Sequence, residues 1–161
     1  MKNLIKNRRH SLKSIFIPVF ITVILSLGCS NTPASDSLDW KTNLEEAVQI
    51  AKKENKAVLV NFTGSDWCKW CFKLSDEVFS QAEFEKYAQE NLVLVKIDFP
   101  RSVPQSNETK MYNQTLAKKY GIQGFPTILV VDNAGNLLAK TGYQPGGATN
   151  YVSYIEGFLG S

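Results

Sequence analysis

The chain has 161 residues, the length of one domain with a short appendage. Its 43% hydrophobic, 20% charged and 11% aromatic content excludes a disordered chain, a collagen-like repeat and a multi-span membrane protein. The formal net charge of +3 arises at one end: Lys2, Lys6, Arg8, Arg9 and Lys13 have no acid beside them, and beyond residue 28 there remain 13 basic against 15 acidic side chains, so no nucleic-acid partner is expected.

Residues 1–13 are basic and polar, and Ile15 to Leu27 is apolar apart from Thr22 and Ser26. A charged start, a short apolar run and small residues near its end describe a secretory signal over residues 1–28. These thirteen residues fall short of the ~20 that a spanning helix needs. Gly28-Cys29 after a leucine-rich stretch resembles the bacterial lipobox, which implies lipidation of Cys29, although Ser26 stands where that pattern prefers a branched apolar residue. The chain is therefore expected to be exported, periplasmic and held to a bacterial membrane by a lipid. Residues 29–37, rich in Ser, Asn, Thr and Pro, read as the lipidated N-terminus and a flexible tether. The folded domain is expected over residues 38–161.

Thr42 and Glu45 form a capping box, and Leu44, Ala47, Val48 and Ala51 follow at helical spacing, which predicts a first helix to Asn55. Ala57 to Phe62 is a short apolar run and reads as a buried strand. After the turn Gly64-Ser65-Asp66, a second helix runs from Cys68 to about Phe79, continued or restarted at Ser80, where Glu83 completes another capping box. Leu92 to Asp98 is a second buried strand, and the Pro-containing stretch from Phe99 to Asn107 is a loop. Met111, Tyr112, Leu116 and Tyr120 mark a helix stopped by Gly121. Pro126 to Val131, the turn 132–136 and Leu137 to Thr141 form a strand, a hairpin turn and a strand. Tyr151, Tyr154, Ile155 and Phe158 share one face of a terminal helix after Gly146-Gly147. The order α-β-α-β-α-β-β-α predicts an α/β domain, with a central mixed sheet of about four strands and helices on both faces.

The chemistry is expected at Trp67-Cys68-Lys69-Trp70-Cys71, which follows a strand and a Gly-containing turn and opens a helix. Free N–H groups and the macrodipole at a helix N-terminus favour an anion, so a thiolate at Cys68 is stabilised and exposed there. A spacing of three lets Cys71 meet Cys68 within one turn, close enough for a disulfide. Lys69 adds a positive charge, and Trp67 and Trp70 offer apolar surface for docking another polypeptide. Half a zinc site is the first alternative, but tetrahedral zinc needs four ligands and the domain has no second cysteine pair and no histidine. A c-type haem needs His where Phe72 stands. A structural bridge over so short a loop stabilises little by chain entropy. Two thiolates also suit Cu(I), which leaves open a membrane-tethered metal-binding module without redox turnover. A Cys–His hydrolase lacks its base, since His10 lies in the signal segment.

Gly124-Phe125-Pro126-Thr127 places a proline at a strand start, 55 residues beyond Cys71. The CxxC on its strand-to-helix turn, this Phe-Pro-Thr and the element order together resemble the thioredoxin family over residues 38–159. The stretch Phe62 to Cys71 resembles more narrowly the exported bacterial proteins with a DWCxWC site, which are similar to periplasmic thiol–disulfide interchange domains. The resemblance implies a cis-proline at Pro126 beside the dithiol and substrate contacts at Phe125 and Pro126, which join the apolar docking surface expected at Trp67. It also implies a thiol–disulfide oxidoreductase acting on protein or small-molecule disulfides and needing no cofactor besides the redox-active Cys68–Cys71 disulfide. Expected partners are disulfide-containing proteins and an external thiol donor or acceptor, with the chain acting as a monomer. Two departures tune the site. Lys69-Trp70 replaces Gly-Pro between the cysteines, and Asn61 lies near where thioredoxin keeps a buried acid, an amide that cannot take the Cys71 proton. Asp66 is a nearby carboxylate, read as a solvated or N-capping residue of the turn.

Overall fold

The computed structural model describes residues 38–160. The expected signal segment, Cys29 and the tether lie outside the described residues. Among those described, no helix is long and apolar enough to cross a membrane.

Five strands form one sheet in the order β1-β3-β2-β4-β5: β1 (Trp40–Lys41), β2 (Ala57–Thr63), β3 (Leu92–Asp98), β4 (Thr127–Val131) and β5 (Leu137–Thr141). β1, β3 and β2 run parallel, whereas β4 and β5 are antiparallel to their neighbours. β1 is the addition to the four expected strands. Two residues long, it carries no periodicity and exists because Trp40 and Lys41 pair with Leu94 and Val95 of β3.

Strand alternation sorts the apolar runs into two cores. Val58, Val60 and Phe62 of β2, with Val93, Val95 and Ile97 of β3, pack under α1 (Leu44–Glu54) and α4 (Asn107–Lys119). Leu59, Leu92, Leu94, Ile128 and Val130 face the other way, onto α2 (Lys69–Leu74), α3 (Ala82–Asn91) and α5 (Gly147–Leu159). Burying each such side chain contributes roughly 1.5–3 kcal/mol, and the helices lie where both faces of the central strands must be covered.

Three helix starts differ from expectation by a local competition. The α1 cap is Asn43, not Thr42: its Oδ1 accepts from the Glu46 N–H at 2.8 Å, one residue on in the same spacing. Ser80 caps nothing; its hydroxyl donates to the Asp76 carbonyl, closing a π-helical turn (Ser75–Phe79) that continues α2, and α3 starts after Gln81. α4 begins four residues before Met111, where Ser106 Oγ accepts from the Thr109 N–H.

The α1 start has a second acceptor from a distance. Tyr112 of α4 takes the Leu44 N–H on its hydroxyl at 2.7 Å and donates to Glu45 Oε2 at 2.6 Å, tying the two helices of one face together. Burial, and then the bond to Glu45, push the Tyr112 phenol up, so it stays a neutral donor. Replacing Tyr112 with Phe leaves the Leu44 N–H to water and should cost about 1 kcal/mol in urea unfolding. Disulfide reduction should be unchanged, and an unaltered midpoint would refute the link.

Candidate active site

The last residues of β2 deliver the chain into the turn Gly64 to Trp67, and α2 starts after Cys68. The Cys68 N–H donates to the Gly64 carbonyl at 3.0 Å, so the turn is closed before the helix begins. Cys68 is the N-cap: its backbone is extended, and its own Sγ accepts from the Cys71 N–H at 3.2 Å. Sulfur thus does here what Ser or Asp oxygen does at other helix starts. Cys68 and Cys71 form a disulfide, with Cα atoms 5.2 Å apart.

Exposure does not separate the two cysteines. Cys68 is 5% and Cys71 6% exposed, so in the disulfide form the expected accessibility of Cys68 is absent. Trp67, next to Cys68 in the chain, meets the Phe125 ring, which in turn packs on Phe99. What singles out Cys68 is its place at the cap, facing the free end of the helix.

Trp67 is not a free docking surface. Its Nε1–H donates to the Phe99 carbonyl at 2.8 Å, its ring stands edge-on to Phe125 with centroids 5.8 Å apart, and the Arg101 guanidinium lies 3.8 Å over it. Gly64 makes room for that indole: a Cβ there would come within 2.5 Å of it. Trp70, by contrast, is 52% exposed and Phe72 42%, and Lys69 is exposed beside them. Trp70 leans on Tyr143 at 5.4 Å, with the Lys73 ammonium over both rings.

Pro126 immediately precedes β4. Thr127 pairs with Phe62, which brings the preceding residues to the end of β2 from which the redox turn departs. The Phe125–Pro126 peptide bond is cis, and Gly142 passes the Pro126 carbonyl so closely that a Cβ would sit 3.0 Å from it.

Asp66 does not cap α2, whose N-cap is Cys68; it stays partly open to solvent and binds a distant loop. Its carboxylate accepts from the N–H groups of Arg101 and Ser102, at 2.9 and 2.6 Å from Oδ1 and Oδ2, and more weakly from Val103. The loop after β3 is thereby bound to the redox turn and holds Arg101 over Trp67. The Arg101 N–H bond first, then that of Ser102, hold the Asp66 carboxyl below its usual range. Asn61 is 6% exposed on the α2 side of β2, and its Oδ1 has no hydrogen-bond partner among the described residues. Arg101, Tyr143 and Lys96, which pairs in register with Asn61, carry no local motif. Only Lys96 leaves a sequence signal, as a charge inside the apolar run Leu92 to Ile97.

Two outcomes follow from this geometry. Gly64→Ala forces the indole off its seat and should destabilise the fold by about 1–3 kcal/mol in urea unfolding; a stability equal to the parent would show that the ring is not confined. Because the folded-state value of Asp66 is depressed, its contribution is present above the ordinary carboxylate range and lost as pH falls through the folded value. Hydrogen-exchange protection of the Arg101, Ser102 and Val103 amides should therefore hold steady at neutral pH and decline below about pH 4. In Asp66→Asn that protection should be lower throughout; equal protection in both proteins would show that the carboxylate does not anchor the loop.

Comparison with known proteins agrees with the geometry. A family model described as a thioredoxin-like domain matches residues 44–153. The disulfide bond reductase DsbH of Chlamydia pneumoniae is 37% identical over 126 residues, covering 78% of this chain and 75% of that protein. The thioredoxin-related protein DsbJ of the same organism is 31% identical over 140 residues, which are 84% of this chain and 40% of that longer protein. A solved structure of a DsbH oxidoreductase superposes with a TM-score of 0.72 at 37% identity, covering 77% of this chain and 85% of that one. The chain belongs to the thioredoxin-like family.

Proposed function

We propose that this chain is an extracytoplasmic reductase of protein disulfides, working by dithiol exchange through Cys68 and Cys71. The observation that carries the reading is the Cys68–Cys71 disulfide at the mouth of α2, with the Cys71 N–H on the Cys68 sulfur. A donor aimed at that sulfur, at the positive end of a helix, stabilises the thiolate that forms when the bond is reduced. The same group is thus both a good leaving group and a nucleophile held in place.

In the reducing direction the Cys68 thiolate attacks one sulfur of a substrate disulfide. A mixed disulfide forms, and the other substrate sulfur leaves as thiolate. Cys71 then attacks the Cys68 sulfur, the Cys68–Cys71 bond closes, and the second substrate sulfur leaves. Two electrons pass from the dithiol to the substrate, and an external thiol donor restores the dithiol. Beyond the two sulfurs no cofactor is called for. Phe125 and Pro126 border the turn, and Trp70 and Phe72 present exposed apolar surface beside it, suited to an unfolded or extended polypeptide. The reducing direction draws on the likeness to a protein named as a disulfide bond reductase. The extracytoplasmic setting, with lipid on Cys29, draws on the basic start, the short apolar run and Gly28-Cys29.

Cys71→Ser should accumulate covalent adducts with disulfide substrates through Cys68, visible by non-reducing electrophoresis and reversed by dithiothreitol. Cys68→Ser should form none and should not reduce insulin. Adducts absent from the first variant while wild-type protein reduces insulin would overturn the assignment of roles.

A further inference from the structure

The sheet face beneath α2 changes character along its length. In the β2–β3 register, Leu59 lies beside Leu94, both buried in the core, but the next step on the same face pairs Asn61 with Lys96, and the one after pairs Thr63 with Asp98. The core therefore gives way to polar groups under the redox turn. A cavity of about 190 Å³ opens there, lined by Asn61, Thr63, Ser65, Cys71, Ser75 and Lys96 among others. That is room for several waters, with enough polar partners to hold them.

Within this cavity Asn61 Oδ1 is the one buried side-chain polar atom without a hydrogen-bond partner among the described residues. A buried amide oxygen left bare is unfavourable, and the cavity has room for a water to supply it a donor. Cys71 shares the cavity, and in the reaction it has a proton to lose before it can attack.

We propose that Asn61 is a positioning residue for the second half of the exchange, its side-chain oxygen holding cavity water against Cys71 so that this water takes the Cys71 proton. The inference rests on the exchange reading above and concerns only its resolving step. The Cys71 thiol gives its proton to water, which passes it to solvent. The thiolate attacks the Cys68 sulfur of the mixed disulfide, the Cys68–substrate bond breaks, and the substrate sulfur leaves with the electron pair and is protonated from solvent. The amide itself gains and loses nothing.

The charges around the cavity support a water route. Among the described residues no carboxylate lines it; Lys96 does, exposed and with its ammonium 5.7 Å over the Trp40 ring. On β1, Lys41 pairs with Asp39. On α2, Lys69 is exposed and Lys73 lies over Trp70 and Tyr143, paired with Glu77 in the following turn. Asp66 is taken up by the amides of residues 101–103, and Arg101 by the Trp67 ring. β4 offers Ile128 opposite Asn61 and no charge. The rival base is Asp98, whose carboxylate receives both the N–H and the hydroxyl of Ser65.

Asn61→Thr and Asn61→Val decide the matter, since they fill the same space, suit a strand and differ by one hydroxyl against a methyl. Mixed disulfide is formed with a disulfide peptide, and its formation and resolution are timed separately by acid quench. The valine variant should resolve about tenfold more slowly than the threonine variant. Formation of the adduct should agree within about twofold between the two. In wild-type protein, resolution should quicken tenfold per pH unit up to the ionisation of Cys71, with no inflection in the carboxylate range. Equal resolution by the two variants, or an equal slowing of both steps, would overturn the role of Asn61. So would a carboxylate-range inflection that Asp98→Asn removes, a test on wild-type sequence elsewhere that needs no change at residue 61. Failure of wild-type protein to form any adduct would instead bring down the exchange reading, and this inference with it.

Discussion

A helix start leaves its first N–H groups without partners inside the helix, and at α2 the side chain that accepts from them is the Cys68 sulfur. Folding of the turn and activation of the thiol are consequently one interaction. The chain cannot form the first turn of α2 without bringing a donor to the sulfur, and it cannot expose that sulfur to chemistry without keeping its cap. Much of what surrounds the site maintains this contact. Gly64 closes the turn, Trp67 is locked between Phe99, Phe125 and Arg101, and Asp66 binds the loop that supplies two of those three.

The sheet contributes the second requirement, a graded floor. An apolar floor under the whole of α2 would bury the helix more firmly, yet it would leave Cys71 without the polar cavity that it lines. A charged floor would open the core to water. Asn61 and Lys96 occupy the middle step, where the side chains change from Leu59 and Leu94 to Thr63 and Asp98. Both cores remain closed behind them, with Val60 and Phe62 of the same strand fully buried on the opposite face.

Much of this was legible in the chain itself. Apolar runs bounded by Gly, Pro and Asp announced four of the strands, and the CxxC with a distant Phe-Pro-Thr announced the site. The misplacements are local and physical. Thr42 and Asn43 both offer a side-chain acceptor with Glu three residues on, and one residue of register decides between them. Ser80 has a capping box in sequence, but the π turn before it claims its hydroxyl. Asp66 looked like a turn residue because its partners are 35 to 37 residues away, beyond any local pattern. β1 is visible only once β3 exists to pair with it.

The sulfur-capped helix start also couples electron transfer to folding. The N–H contact on Cys68 exists only in the native chain, so a closed cycle joins four species: native and unfolded, each with dithiol or disulfide. Around that cycle, the difference in unfolding free energy between the two redox forms must equal the difference in reduction potential between native and unfolded chain, about 1.4 kcal/mol for each 30 mV. An anionic sulfur accepts that N–H more strongly than a disulfide sulfur does. The cap therefore lends its weight to the reduced fold, and any residue that tightens it raises the potential of the couple by the same amount of energy.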